Sequence, residues 1–213
     1  MTPLWGVLGG LELIEKEADK VGPVEMKEIL GLIRKSAERQ QKLSGKLVRF
    51  FEMERMKERK EGEGTGRCQA HDAVTVGAGQ AAGELGRQAD VRVRCEPAEV
   101  PLVGAVLTDA IAELVGNALQ FSPAGEPVTV VGRRSGGGYV IEVVDRGPGM
   151  APEQRAAVGA FTQFGRENQE QQGLGLGLAI VQAAAALAGG RLVFGDGPDG
   201  HGLRAAIELP SCG

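Results

Sequence analysis

The spacing of apolar residues changes abruptly at a glycine-rich segment, Glu61-Gly62-Glu63-Gly64-Thr65-Gly66. Before it, apolar side chains recur every three or four positions, as they do on one face of a helix. They do so in two runs, the first at Leu4, Leu8, Leu11, Ile14 and Ala18, and the second at Met26, Ile29, Leu30, Ile33, Ala37, Leu43, Leu47 and Phe50. Val21-Gly22-Pro23 lies between the runs and predicts a turn. The pattern therefore predicts a hairpin of two helices.

A two-helix hairpin has an apolar face but no layer of its own against which to bury it. The usual solution is for two copies to pair into a four-helix bundle, and we expect a homodimer of this kind. Packing of the hairpin on the second part of the chain is the alternative.

Beyond residue 66 the pattern is that of alternating helices and strands. Helices are predicted at residues 73–88, 101–121 and 177–188, and strands at 91–95, 128–133, 139–144, 191–195 and 203–209. This mixture predicts an α/β sandwich, with one mixed sheet and helices on one face. We expect two domains, residues 1–61 and residues 67–213, and an α+β fold class overall.

Charge and cysteine content restrict the partners. Residues 67–213 carry 11 basic and 16 acidic side chains, and all eight lysines lie at or before Lys60. This acidic balance disfavours a nucleic-acid surface, so any phosphate in this part must meet backbone N–H groups, arginine or a metal ion. Three cysteines without metal-ligand spacing indicate a reducing compartment, and we expect a cytoplasmic location. No apolar run reaches the roughly 20 residues of a membrane span, so no membrane segment is expected in this sequence.

The helix at 101–121 carries a polar row. Glu113, Asn117 and Gln120 are spaced by four and three residues, which places them on one face of an otherwise apolar helix. A carboxylate and a carboxamide at this spacing suit Mg²⁺, which prefers oxygen ligands and water. On its own, such a row also fits an ordinary solvated helix face.

Two glycine-containing motifs follow. Asp145-Arg146-Gly147-Pro148-Gly149 comes directly after an apolar strand, where the carboxylate can accept a hydrogen bond from an exocyclic amine and the glycines permit close approach. The run from Gly173 to Leu178 has glycine at every second position and leads into a helix, so its N–H groups and the helix dipole favour phosphate. Between them, Phe161 and Phe164 stand in a loop that they are expected to anchor. Taken singly, these patterns are also those of simple turns and loops.

In the order E-x-x-x-N, D-x-G-x-G, F-x-x-F and G-x-G-x-G, the motifs of residues 67–210 resemble the Bergerat-fold, or GHKL, ATPases. Within that superfamily they resemble the sensor histidine kinases most closely. The preceding hairpin resembles the dimerisation and histidine-phosphotransfer region of those kinases. The resemblance implies a Bergerat-type α/β sandwich that binds ATP and Mg²⁺.

The resemblance also implies roles for particular residues. Asn117 would bind Mg²⁺, and Glu113 would act as the base or polarising group. Asp145 would hydrogen-bond the adenine amine, with Gly147 and Gly149 allowing close approach. The ATP lid would span about residues 151–176, and its hinge and phosphate cradle would comprise Gly173, Leu174, Gly175, Leu176 and Gly177. Gly202 lies where the last glycine box is expected. Gln120 stands where such kinases often carry a cation or imidazole directed toward the phosphates, and Leu203 stands where a threonine is frequent. Both departures predict weaker nucleotide binding.

The phospho-acceptor histidine is missing from this sequence. Thr2-Pro3-Leu4 resembles the end of the histidine-kinase H-box, which would place the acceptor four residues before Thr2. The two histidines present, His71 and His201, are predicted to be surface or turn residues. We therefore expect a kinase core that does not phosphorylate itself as given, either because the sequence is truncated or because it is a natural pseudokinase.

The expected function is transfer of the ATP γ-phosphoryl group to a histidine and then to a response regulator. The alternative is a catalytically silent nucleotide-binding module that acts through its dimerisation hairpin. An anti-sigma-type serine kinase is a further reading, which the long hairpin disfavours.

Overall fold

The computed structural model describes residues 3–17, 22–58, 66–156, 176–197 and 200–212. The chain forms two compact units. Of the described residues, the first unit holds those up to Arg49, and the second holds those from Phe50 onward. The predicted domain limits at residues 61 and 67 adjoin residues outside the described ranges and stay a prediction.

The first unit is the predicted helical hairpin. Helix α1 spans Pro3–Glu17, and helix α2 spans Pro23–Glu58, so α2 continues into the second unit. At the start of α2, Pro23 supplies a fixed φ, and the Glu25 carboxylate accepts the N–H of Gly22 at 3.1 Å, in the manner of a capping box. A Cβ on Gly10 would lie 2.5 Å from Cγ1 of Ile33, so this glycine lets the two helices approach closely.

The described residues of the second unit form the last turns of α2, four further helices and seven strands. The strands are β1 Cys68–Gln69, β2 Val91–Cys95, β3 Glu99–Val100, β4 Val128–Ser135, β5 Gly138–Val144, β6 Arg191–Asp196 and β7 Leu203–Leu209. The helices are α3 Ala70–Leu85, α4 Gly104–Phe121, α5 Pro152–Ala156 and α6 Leu176–Leu187, and a 3₁₀ turn spans Gln88–Asp90.

Five strands form one mixed sheet in the order β2-β4-β5-β7-β6. Strands β2 and β4 run parallel, and the other pairs are antiparallel. Helices α3, α4 and α6 cover one face of this sheet. The core between them is aliphatic, and its largest enclosed side chains include Leu107, Ile111, Leu119, Ile141, Ile180 and Ile207. Strands β1 and β3 pair separately.

The predicted architecture is confirmed, with differences at element ends. Helix α3 begins at Ala70 rather than residue 73 and ends at Leu85 rather than residue 88. Strands β1 and β3 and helix α5 were not predicted, because elements of two to five residues are too short to show a period. Among the described residues, no helix combines the length and apolarity needed to cross a bilayer.

Candidate nucleotide site

The polar row predicted on α4 is present in the structure. Glu113 and Asn117 are half-buried and Gln120 is exposed, whereas the opposite face of α4 is buried in the core. The helix is therefore held by its apolar face, and its polar row lies at the border of the packed interior.

The start of α6 lies against this row. A Cβ built on Gly177 would lie 2.6 Å from a carboxylate oxygen of Glu113 and 3.6 Å from the amide nitrogen of Asn117. A side chain at this position would displace the Glu113 carboxylate, whereas the amide of Asn117 would be in ordinary van der Waals contact with it. The structure thus brings Gly177, the last glycine of the predicted phosphate cradle, against Glu113 and Asn117, which lie 64 and 60 residues before it in sequence.

Asp145 lies at the end of β5 and is 6% exposed. One of its carboxylate oxygens, Oδ1, accepts the N–H of Gly147 at 2.7 Å and the N–H of Leu203 at 3.2 Å. Burial raises the pKa of this carboxyl, while the two backbone hydrogen bonds act to lower it. Because both bonds go to Oδ1, the second oxygen has no hydrogen-bond partner within the described part of the chain and is available to a ligand donor.

Close backbone approaches join Asp145 to the neighbouring elements. A Cβ on Gly147 would lie 2.7 Å from the carbonyl oxygen of Phe121, at the end of α4. Gly202, at φ +80°, lies directly against the carbonyl of Asp145, and a Cβ on Gly149 would lie 3.1 Å from the carbonyl oxygen of Gly202. The end of α4, the Asp145 turn and the predicted last glycine box therefore meet at one place.

The sequence did not identify Arg87, whose guanidinium caps the carbonyl groups at the C-terminal end of α4. Its guanidinium donates to the carbonyl oxygens of Leu119, Ser122 (2.9 Å) and Pro123 (2.6 Å), and its Nε donates to Asp90 at 2.7 Å. The hydrogen bond from Arg87 holds the pKa of the Asp90 carboxyl below its usual range. The carbonyl partners lie 32 to 36 residues away in sequence, so no local pattern could have revealed this role.

A second missed residue is Ser122, which follows Phe121 beside the Asp145 turn. It is 6% exposed, and within the described residues its Oγ is buried without a hydrogen-bond partner. A buried hydroxyl without a partner is costly unless a water or ligand satisfies it. The serine was visible in the sequence, but its enclosure was not.

Several predicted residues contribute differently or lie outside the described residues. Leu176 is 2% exposed, so any contact it makes with a ligand comes from its backbone. Gly173, Leu174, Gly175, Phe161 and Phe164 lie outside the described ranges. Among the residues that are described, no three His, Cys, Asp or Glu side chains cluster as a metal site.

A family model described as "Histidine kinase-, DNA gyrase B-, and HSP90-like ATPase" matches residues 104–212. The sensor-like histidine kinase SenX3 of Mycobacterium tuberculosis is 38% identical over 130 residues, which cover 58% of this chain and 31% of that protein. The sensor protein kinase PmrB of Pseudomonas aeruginosa is 36% identical over 134 residues, covering 60% of this chain and 28% of that protein. The chain thus spans about a third of the length of these relatives.

Solved structures share the fold. The Acinetobacter baumannii histidine kinase AdeS superposes with a TM-score of 0.68 at 19% identity, over 100% of this chain and 96% of that chain. The mycobacterial sensor histidine kinase MprB superposes with a TM-score of 0.58 at 27% identity, over 68% of this chain and 97% of that chain. The predicted fold class is confirmed by these likenesses. With the family model covering residues 104–212, the chain belongs to the histidine kinase-, DNA gyrase B- and HSP90-like ATPases, and its ATPase domain is of the sensor histidine kinase type.

Proposed function

We propose that this chain is the ATP-binding catalytic core of a two-component sensor histidine kinase. It would bind Mg²⁺-ATP and support transfer of the γ-phosphoryl group to a histidine, from which an aspartate of a response regulator receives it. The observation that carries the proposal is the convergence of Glu113, Asn117 and Gly177 on one side and Asp145, Gly147 and Gly202 on the other. These residues come from separate segments, and close packing at glycines holds them together.

The adenine side of the site rests on Asp145. Its Oδ1 is held by two backbone N–H groups, which fixes the carboxylate plane and leaves the other oxygen for an exocyclic amine. The glycines at 147 and 149 keep side chains away from the turn, so a flat ring can approach the backbone. Ser122 lies next to the residue that contacts this turn, and its unpartnered hydroxyl supports a bound water or ring nitrogen nearby.

The phosphate side would use Asn117, Gln120 and the glycine run that ends at Gly177. The donor set suits Mg²⁺ coordinated by the amide oxygen of Asn117, because Mg²⁺ typically keeps several waters and takes substrate phosphates as further ligands. When bound, the ion neutralises phosphate charge that develops during transfer. Glu113 lies beside Asn117 and would orient or deprotonate the attacking group.

The acceptor histidine is the incomplete part of this function. His71 lies exposed on α3 and His201 lies exposed between β6 and β7, so neither belongs to the hairpin helices. We therefore propose neither as the acceptor, because the H-box resemblance puts the acceptor four residues before the threonine of that motif. Because phosphoryl transfer consumes ATP, we propose a cytoplasmic location for this protein.

The hairpin supports a homodimer. Leu4, Trp5, Leu8 and Leu11 of α1 are 45–65% exposed, and several large apolar side chains of α2 are also exposed. Apolar side chains that are exposed next to one another, rather than scattered singly over the surface, typically mark an interaction site. A second copy presenting the same surface would complete a four-helix bundle.

Titration calorimetry with ATP and Mg²⁺ tests the nucleotide site. Asn117→Ala should abolish or strongly weaken binding, whereas Gln80→Ala, an exposed amide on α3, should leave it unchanged. Equal affinity of Asn117→Ala and the parent protein would show that the site has been misassigned.

A second experiment separates a kinase from a silent nucleotide-binding module. A histidine-containing H-box is placed before Thr2, and the protein is incubated with γ-labelled ATP. Acid-labile label on that histidine supports phosphoryl transfer. Tight ATP binding without any label would favour the silent module instead.

A further inference from the structure

The sheet face turned away from α3, α4 and α6 is rich in arginine. The strand registers place Arg92, Arg94, Arg133, Arg191 and Arg204 on this face together with Glu142 and Glu208. These side chains sum to a net charge of about +3, whereas the whole chain carries −4. The open face is therefore positively charged in an acidic protein.

Most of these charges are already paired. The Glu142 carboxylate forms ion pairs with the guanidinium groups of Arg204 and Arg133, at N–O distances of 2.7 and 3.2 Å. The Glu208 carboxylate forms one with Arg191 at 2.6 Å. Arg92 and Arg94 differ, because both are exposed and neither forms an ion pair with any described residue. Both lie on β2, an edge strand, so the unpaired positive charge is concentrated at one edge of the sheet.

The same edge exposes backbone hydrogen-bonding groups. The N–H of Glu96 donates to the carbonyl oxygen of Gly132 on β4. The backbone N–H and C=O groups of the even-numbered residues in this segment therefore point toward β4. Since backbone groups alternate sides along a strand, Val91, Val93 and Cys95 direct theirs outward. The N–H of Val91 donates to the carbonyl oxygen of Gln88 in the preceding 3₁₀ turn, whereas no described residue bonds to the outward groups of Val93 and Cys95. Strand β2 contains no proline and keeps its register over five residue pairs, so its edge is regular enough to pair.

We propose that the outer edge of β2 is a docking site for an extended acidic segment of a partner protein. The segment adds as a sixth strand, and its alternate carboxylates contact Arg92 and Arg94. A second copy of β2 is disfavoured, because pairing would bring arginines of the two strands close to one another. A polypeptide fits better than a nucleic acid, because only a polypeptide complements the outward N–H and C=O groups.

The test uses a fluorescein-labelled nonapeptide of alternating glutamate and threonine, with binding to the whole chain followed by anisotropy at about 0.15 M salt. Arg94→Glu should weaken binding about tenfold, the loss expected of one charge-assisted hydrogen bond. Arg92→Glu should act in the same direction. Arg191→Glu makes the same charge change on the opposite edge strand and should alter affinity less than twofold. Urea unfolding of each variant verifies that the fold is retained.

Two N-methylated versions of the peptide test strand addition separately from charge. One is methylated at the glutamates and the other at the threonines, so each blocks a different edge of the added strand. Loss of binding by one version alone supports the proposal. Equal binding by both, no peptide binding at about millimolar concentration, or equal affinity of Arg94→Glu and the parent would overturn it. So would a single-stranded oligonucleotide that competes as well as the peptide, since that would indicate a general anion surface.

Discussion

At the residue scale, the site depends on positions where a single methyl group would collide with a functional side chain. Gly177 is the clearest case, because its missing Cβ leaves room for the carboxylate of Glu113 and the amide of Asn117. The neighbouring atoms belong to side chains rather than backbone, so the protein can relax when this space is filled. Substitution there should disturb the site more than the fold.

We therefore expect Gly177→Ala to weaken ATP affinity about five- to tenfold, because the new Cβ displaces the Glu113 carboxylate toward the proposed phosphate site. The free energy of unfolding should change by no more than about 1 kcal/mol, since alanine favours a helix. Calorimetry and urea unfolding measure the two effects. Gly83→Ala, in α3 with no atom closer than 3.9 Å to the new Cβ, is the control and should leave ATP binding unchanged. Unaltered affinity of Gly177→Ala would contradict the proposed site.

We expect the ionised carboxylate of Asp145 to bind adenine and, because it is buried, to lower the free energy of unfolding. Burial raises the folded-state pKa of its carboxyl above 3.8, so its ionisation disfavours the folded state once the pH exceeds that value. Asp145→Asn keeps an oxygen for the N–H groups of Gly147 and Leu203 but removes the charge. The variant should unfold at higher urea than the parent at pH 7.5, and this advantage should shrink as the pH falls toward 4.

The same substitution should weaken ATP binding at least tenfold, because an amide N–H would face the exocyclic amine of adenine in place of an acceptor. Asp72→Asn, an exposed position on α3, should leave ATP binding unchanged. An Asp145→Asn variant that is less stable than the parent by the same amount at both pH values would rule out the buried-charge explanation.

At the element scale, α4 carries the polar row and is positioned by its contacts with α3 and the sheet. A Cβ on Gly77 of α3 would lie 2.5 Å from the backbone carbonyl oxygen of Thr108 and 3.0 Å from Cβ of Ile111. Backbone atoms cannot rotate away as a side-chain end can. The two helices therefore require a residue without a side chain at this crossing.

Gly77→Ala should lower the free energy of unfolding by about 1–3 kcal/mol, because the overpacked helices must separate. Gly79→Ala lies two residues further along the same helix, where a new Cβ meets nothing within 4 Å. It should raise stability by up to about 1 kcal/mol through helix propensity. Urea unfolding of the pair measures the contrast, and similar values for both variants would show that the α3–α4 distance is not limited at Gly77.

At the scale of the whole molecule, the exposed apolar surface of α1 predicts self-association. Light scattering should give about twice the 22.2 kDa mass of the chain. Leu8→Lys, which places a charge at a side chain that is 52% exposed, should shift the protein to monomer. Leu85→Lys, at 46% exposure on α3, should not. A parent protein that is monomeric at every concentration would refute the dimer.

Much of the fold was predictable from the sequence, because it rests on local patterns. The helical spacing of Leu4 to Phe50 predicted both hairpin helices, and the alternation of Val91 to Cys95 predicted β2 with its correct bounds. The short strands β1 and β3 escaped detection because two residues cannot show a period. The shift of α3 toward Ala70 arises because the helix start is set by packing and by the adjoining strand rather than by a capping side chain.

The sequence by itself determined the types of chemical group present and their order, since helical and strand periods and glycine positions are local properties. It also identified Glu113, Asn117, Asp145 and the glycine boxes as candidates. Only the tertiary structure decided which of them meet, because Gly177 reaches Glu113, and Gly202 reaches Asp145, only after α4, α6 and β7 have packed. The same holds for Arg87 and Ser122, whose roles depend on burial and on carbonyl groups distant in sequence. Long-range packing, rather than any local pattern, assembles the site.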